Sequence, residues 1–215
     1  MKPKLMGKAP VRKLAFQHPK FLIIAALAGL VIGLTANGLN YDKQIRKTAT
    51  NRPDSIASVA AFGKVYKVLK SPRCMNCHPA GNIPLQGDDS HLHTMSPIRG
   101  KDGKGVYAMK CANCHQATNS PGVGTPPGNP NWALPPEDMK MVFQGKSARE
   151  LALQIMDYKR NGHKNKAQLI AHARDTLVKA GWNMGDGRKP PPIAYKEFVA
   201  AWDEWINKGG YAPGK

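Results

Sequence analysis

The chain has 215 residues, with 32 Lys and Arg against 14 Asp and Glu, a formal net charge of +18 and a pI near 9.9. That length suits one domain of ordinary size with extensions. Such basicity raises nucleic acid as a partner, but no nucleic-acid fold signature accompanies it, and the reading excludes that class.

The lead, residues 1–20, holds Lys2, Lys4, Lys8, Arg12, Lys13 and Lys20 and no acidic residue, and an uncharged apolar run fills 21–38. A basic flank ahead of an apolar core is the layout of a transmembrane anchor or an export signal with its N-terminus in the cytoplasm. From Phe21 to Ala36 the run would cover about 24 Å as a helix. Ala36-Asn37-Gly38 also offers a small-x-small cleavage site, so anchor and cleaved signal both stand, the long basic lead favouring the anchor. Without the six basic residues of the lead, 26 Lys/Arg face 14 Asp/Glu, still formally +12. Residues 39–53 read as a tether.

Asp54 is placed as the N-cap of a helix over 55–70 with Ile56, Val59, Ala60, Phe62, Val65, Tyr66 and Leu69 as its apolar stripe. Ser71-Pro72 ends it. Residues 79–101 read as loop, rich in Gly, Pro and Asp. Asp102 is placed as the cap of a second helix over 104–115, and the Pro/Gly-rich stretch 119–136 as irregular chain. Ser147-Ala148-Arg149-Glu150 is a capping box opening a helix to about Arg160, with Leu151, Ile155 and Tyr158 on one face. A further helix is expected from Lys164 to Ala180, stopped by Gly181. After Pro190-Pro191-Pro192 comes a last one, with Phe198, Val199, Trp202, Trp205 and Ile206 apolar and Gly209-Gly210 at its end. No alternating strand pattern of useful length occurs, so residues 54–215 are expected to form one compact all-α domain with long loops.

All four cysteines fall in two copies of one pattern, Cys74-Met75-Asn76-Cys77-His78 and Cys111-Ala112-Asn113-Cys114-His115. C-x-x-C-H is the attachment signature of c-type haem. Two thiols three positions apart reach the two vinyl groups of one porphyrin, and the histidine after the second thiol lies beneath the iron. One structural zinc would need no histidine after each pair, and its ribbon spacing is usually tighter. A thioredoxin-like site uses one C-x-x-C near a βαβ pattern, which is missing, and disulfides call for neither histidine. The expected cofactors are therefore two haem c, bound covalently by Cys74, Cys77, Cys111 and Cys114, with His78 and His115 as proximal iron ligands. Only residues 79–110 separate the two motifs, too few for two independent domains. One domain enclosing both porphyrins, with long haem-wrapping loops, is the reading. Thioether attachment outside the bacterial cytoplasmic membrane agrees with the export layout.

The sixth ligand separates an electron relay from a reactive haem. For the first haem the candidates are His91, His93 and Met95, three donor residues within five positions of the loop. For the second they are Met139 and Met141, after the proline-rich stretch, and His172, beside Leu169, Ala173 and Thr176. Met184 is a weaker candidate, His163 after Gly162 reads as a helix-end residue, and His18, ahead of the apolar run, is out of reach.

Several stretches together resemble a family. They are Cys74-Met75-Asn76-Cys77-His78-Pro79, Gln86-Gly87-Asp88-Asp89 leading to His91-x-His93-x-Met95, Met139-x-Met141-Val142-Phe143-x-Gly145-Lys146-Ser147, and Gly181-Trp182-Asn183 before Gly185-Asp186-Gly187-Arg188. Over about residues 72–210 the chain resembles small bacterial dihaem cytochrome c proteins labelled as isoquinoline oxidoreductase subunits. The resemblance implies a molybdenum hydroxylase with iron–sulfur clusters as redox partner. A terminal oxidase or another cytochrome is the further partner expected of a relay to the respiratory chain. No molybdopterin or iron–sulfur pattern is present in this chain, since haem consumes every cysteine. The expectation is a periplasm-facing electron-transfer subunit held at the inner membrane by its N-terminal segment, or soluble in the periplasm after cleavage. The alternative is a dihaem peroxidase or small-molecule oxidase with one open iron.

Overall fold

A computed structural model describes residues 52–214 of the chain. The basic lead, the apolar run 21–38, His18 and nearly all of the tether lie outside the described residues. Among those described, no helix is long and apolar enough to cross a membrane.

The described part is helix-rich with a few very short strands. Its helices are α1 (Arg52–Leu69), α2 (Pro72–Met75), α3 (Ala148–Met156), α4 (Lys166–His172), α5 (Thr176–Ala180) and α6 (Tyr195–Asn207). Two hairpins of two-residue strands lie between α2 and α3. In the first, β1 (Leu85–Gln86) pairs antiparallel with β2 (His91–Leu92), Leu85 opposite Leu92. In the second, β3 (Gly105–Val106) pairs antiparallel with β4 (Met109–Lys110), Gly105 opposite Lys110.

The core forms chiefly where α1 crosses α6. Ser58, Ala61, Phe62, Val65, Val68 and Leu69 are the buried positions of α1, while Ile56 is 65 % exposed. The expected stripe is thus turned toward Ala61 and Val68. On α6, Phe198, Ala201, Trp202, Trp205 and Ile206 face inward at helical spacing. Phe62 packs on Trp205 with ring centroids 4.5 Å apart. Burying indoles requires partners for their N–H groups. Trp205 donates to the Tyr211 carbonyl at 3.1 Å, Trp202 to that of Leu169 at 2.8 Å and Trp182 to that of Ile193 at 2.7 Å. Ser58 Oγ ties the two helices, donating to the Trp205 carbonyl at 2.9 Å and accepting from Tyr211 N at 3.0 Å.

Four expected helices differ from the observed ones. The first starts at Arg52, so Asp54 lies within its first turn and is not its N-cap. Over 104–115 the chain forms the β3–β4 hairpin and a 3-10 turn, Cys111–Asn113, instead of a helix. Gly103 and Gly105 sit at φ of +75° and +84°, and a Cβ at Gly105 would lie 2.3 Å from the Met109 carbonyl oxygen. Only glycine turns the chain back that tightly. The helix expected over 164–180 is two helices, α4 and α5, because Asp175 is extended (ψ 143°) and its carboxylate caps the His172 ring at 2.6 Å. The helix opened by Ser147 ends at Met156 rather than Arg160. Asp157 is extended there, and its carboxylate accepts from Lys159 N at 3.0 Å and Arg160 Nε at 2.7 Å instead. Tyr158 falls beyond the helix and is exposed.

Candidate functional site

Each cysteine motif sits on a short helical turn, α2 at the first and a 3-10 turn at the second. At the first, Ser71 closes α1 through its hydroxyl to the Val68 carbonyl at 2.7 Å, and Pro72 starts α2, its missing N–H costing nothing at a helix's first turn. Cys77 N then donates to the Cys74 carbonyl at 3.2 Å and His78 N to that of Met75 at 3.0 Å. At the second, Cys114 N donates to the Cys111 carbonyl at 3.2 Å and His115 N to the same oxygen at 2.9 Å. Each turn therefore presents two thiols and the following imidazole together. None of the four cysteines is paired in a disulfide.

The two histidines are clamped alike. His78 Nδ1 lies 2.7 Å from the Met141 carbonyl and His115 Nδ1 lies 2.7 Å from the Pro127 carbonyl. A carbonyl only accepts, so each Nδ1 carries the proton and each Nε2 keeps its lone pair. Each ring also lies flat on an aromatic face: His78 on Phe143 with centroids 3.9 Å apart, His115 on Trp132 at 4.0 Å, both pairs within 8° of parallel. Neither ring can rotate without losing both contacts. Burial lowers the His78 pKa to about 3 against the help of the Met141 carbonyl, and lowers that of His115. Both imidazoles are therefore neutral near pH 7, the form that binds a metal.

The clamps are built by returning chain. Phe143 N donates to the His78 carbonyl at 2.9 Å, bringing 141–143 back to the first motif. Asn129 N donates to the Gln116 carbonyl at 2.9 Å, and Gly128 N to Asn119 Oδ1 at 2.9 Å, closing 116–129 into a loop around His115. Gly128 has no room for a side chain, since a Cβ there would meet the Thr118 carbonyl at 2.0 Å. Close backbone approach is what sets the Pro127 carbonyl against His115.

The first motif opens into a cavity of about 910 Å³, within the range of small-molecule and cofactor sites. Cys74, Cys77 and His78 line it together with core side chains such as Leu69, Leu169, Phe198 and Trp202. Burial pushes the Cys74 thiol up to about 12 and the Cys77 thiol up to about 11, and raises Cys111 as well. Cys111 lies near enough to Cys77 for its charge to act there, so the two motifs are neighbours. Cys114 is exposed, and the second motif is the more open one.

Two arginines sit between and beside the motifs. Arg99 is 1 % exposed and donates to the Pro135 carbonyl at 2.5 Å and to that of Gly81 at 3.2 Å. Arg73 is buried, pairs with Asp88 and donates to the Gly87 carbonyl at 3.1 Å. The Nε atoms of both are buried without a partner. Both act electrostatically on Cys77.

At the first motif these features fit an iron porphyrin, and the second shares the turn and the clamped imidazole. An iron porphyrin needs thiols in a turn, a neutral imidazole with a free Nε2, an apolar cavity opening into the core, and cationic donors for its carboxylates. Among the described residues no group of three or more His, Cys, Asp or Glu side chains is arranged to hold a bare metal ion. A haem iron is held by its porphyrin and asks the protein for one or two donors.

The structure exchanges the expected neighbourhoods of the remaining donors. His93, in the loop after the first motif, lies beside the second: its ring centroid is 6.5 Å from that of His115, the planes at 70°. His172, Met139, Met141 and His163 all line the cavity of the first motif. The backbone carbonyl of Met141 holds His78 Nδ1. His91 is exposed and bonded to Asp89 at 2.6 Å, and Met95 is 64 % exposed. His163, at φ +57°, has its ring edge-on to Tyr158 with centroids 5.2 Å apart. Met184 is buried and its carbonyl accepts from Arg188 at 3.0 Å. Sequence reading did not single out Trp132, Phe143 as a ring partner, Arg73 or Arg99. A basic residue directly before C-x-x-C, and lone aromatics in otherwise turn-rich stretches, are the signals that mark them.

Comparison with known proteins yields no relative: no family model, no curated protein and no solved structure matches the chain.

Proposed function

We propose that this chain is a dihaem c-type cytochrome subunit that relays single electrons. The observation that carries the reading is the duplicated clamp: two histidines, each directly after C-x-x-C, each with Nδ1–H on a backbone carbonyl and its face on an aromatic ring. Haem supplies a one-electron ferric/ferrous couple when bound. The protein's part is to attach, orient and enclose. Cys74 with Cys77 and Cys111 with Cys114 are the covalent anchors, and His78 and His115 are the proximal ligands. Phe143 and Trp132 fix the planes of those imidazoles, and the carbonyls of Met141 and Pro127 fix their tautomers. In this reading residues 54–215 form one compact, essentially helical domain, the loops 79–101 and 119–136 wrapping the two haems.

The export layout puts this domain on the periplasmic side of a bacterial inner membrane, anchored by 21–38 or freed by cleavage there. The formal +12 beyond the lead steers encounter with an acidic partner or an anionic surface. The family resemblance makes a molybdenum hydroxylase or similar dehydrogenase the donor, and a terminal oxidase or cytochrome the acceptor. Alkaline pyridine spectroscopy of the purified full chain tests the cofactor and should give two covalent haems per chain, with Cys74→Ala and Cys111→Ala each impairing one attachment. Carbon monoxide and peroxide test the role. Irons unreactive to both support the relay, whereas turnover of peroxide would make the protein a haem enzyme. Stoichiometric zinc in place of haem would overturn the reading.

A further inference from the structure

We infer that both irons take a second histidine, in crossed order along the chain: His172 completes the haem of the first motif and His93 that of the second. This rests on the dihaem reading above and assigns the far side of each iron.

The distance between His93 and His115 carries the second pair. Two imidazoles bound trans to one iron through Nε2, at about 2.0 Å per metal–nitrogen bond and about 1.1 Å from nitrogen to ring centre, hold their centroids about 6.3 Å apart. The observed separation is 6.5 Å with the ring planes at 70°. The other edge-to-face ring pairs of the described residues bring their centres to 5.1–5.5 Å. The His93–His115 pair is thus spaced for an atom between its members. His115 Nδ1 is committed to the Pro127 carbonyl, which leaves its Nε2 as the donor. His93 Nδ1 has only a long 3.3 Å contact from Met95 N, which yields when Nε2 coordinates and Nδ1 takes the proton.

His172 faces the first motif by a different route. It closes α4 and lines the same cavity as Cys74, Cys77 and His78. Its Nδ1 is held by Asp175 at 2.6 Å, so Nε2 is again the free donor, and a carboxylate behind a ligating imidazole orients it and raises its basicity. Met139 and Met141 line the same cavity, and a methionine–iron charge-transfer band in the wild type would assign one of them in place of His172. His163 is turned edge-on to Tyr158.

The crossing follows from the folding of the loops. The β1–β2 hairpin reverses the chain after the first motif. Beyond it, His93 N donates to the Pro84 carbonyl at 3.0 Å and Arg99 N to that of Asn82 at 2.8 Å. These bonds hold His93 on the segment that joins the two motifs, with its ring beside that of His115. Each haem is then gripped by elements that also touch the other, and both irons are six-coordinate.

The test uses the full chain matured with c-type haem, read by ferric electron paramagnetic resonance, visible spectra and carbon monoxide binding. Wild type should show two low-spin irons, no methionine–iron charge-transfer band and no carbon monoxide binding. His172→Ala and His93→Ala should each keep two covalent haems while one low-spin signal is lost and half the haem binds carbon monoxide. Added imidazole should restore the lost signal. The irons must differ: in a chain lacking the second attachment (Cys111→Ala with Cys114→Ala), His172→Ala must still open the remaining haem and His93→Ala must not. Where an alanine variant does not accumulate, His172→Met and His93→Met replace it, each expected to introduce the methionine band and raise one reduction potential. Two covalent haems with unchanged spectra in the variants, or both variants opening the same iron, overturn the crossed pairing and leave the dihaem reading standing. Wild type without covalent haem overturns that reading itself.

Discussion

Both motif histidines are held by backbone carbonyls, whereas His172 is held by a carboxylate. A carbonyl fixes the tautomer without adding charge; a carboxylate also pushes electron density into the ring. The rings of His78 and His115 are fixed a second time, by stacking on Phe143 and Trp132. Imidazole orientation decides how iron orbitals split, so the aromatic partners should be visible spectroscopically. Phe143→Leu keeps an apolar side chain of nearly the same size and should cost less than about 1.5 kcal/mol in stability, but it removes the flat face. We expect it to shift or broaden one ferric low-spin resonance and leave the second in place, and Trp132→Leu to do the converse. An identical change in both resonances from either variant would show that the rings do not serve separate histidines.

At the scale of elements, local chemistry explains what succeeds in isolation and what does not. The start of α3 was legible from four residues. Ser147 Oγ accepts from Glu150 N at 3.3 Å while Glu150 Oε2 accepts from Ser147 N at 2.9 Å, the reciprocal pair a capping box requires. Hydrogen bonds from Ser147 N–H, then from its hydroxyl and from Lys146, pull the Glu150 carboxyl down to about 2. A carboxyl whose folded pKa lies below its ordinary 4.5 contributes stability above that value and loses it as pH falls toward 2. Ser147→Ala removes the N-cap hydroxyl and should destabilise the protein by about 1 kcal/mol near neutral pH. In thermal unfolding its deficit against wild type should shrink steadily as pH drops from 4.5 toward 2. α6 was equally legible, because three aromatics at helical spacing leave one solution. The stretch 104–115 was not. Its fold rests on Gly103 and Gly105 at positive φ, which no periodicity reports. The break between α4 and α5 was hidden for a related reason, since Asp175 serves the His172 ring instead of the helix.

Over the whole molecule, the two C-x-x-C-H motifs were plain in the sequence, while their surroundings depend on which loop returns to which motif. Proximity along the chain placed His93 with His78 and His172 with His115; the fold places each with the other. The same interleaving brings the motifs close enough for Cys111 to act on Cys77. It also buries Arg99 in the segment joining them, bonded to carbonyls 18 and 36 residues away. A sealed cation with an unpaired Nε, acting on both Cys77 and His78, favours an extra electron nearby, because reduction adds the opposite charge to its surroundings. Replacing it with an apolar residue removes that attraction. Arg99→Met should therefore lower the reduction potential of the first haem by on the order of tens of millivolts, and that of the second by less. Arg99→Lys keeps the charge but loses the forked grip on Gly81 and Pro135, so it should lower stability while leaving the potentials nearer wild type. Spectroelectrochemical titration of the three proteins, paired with thermal unfolding, separates these effects. If methionine and lysine variants shift the potentials equally, the effect of Arg99 is architectural and its charge does not tune the irons.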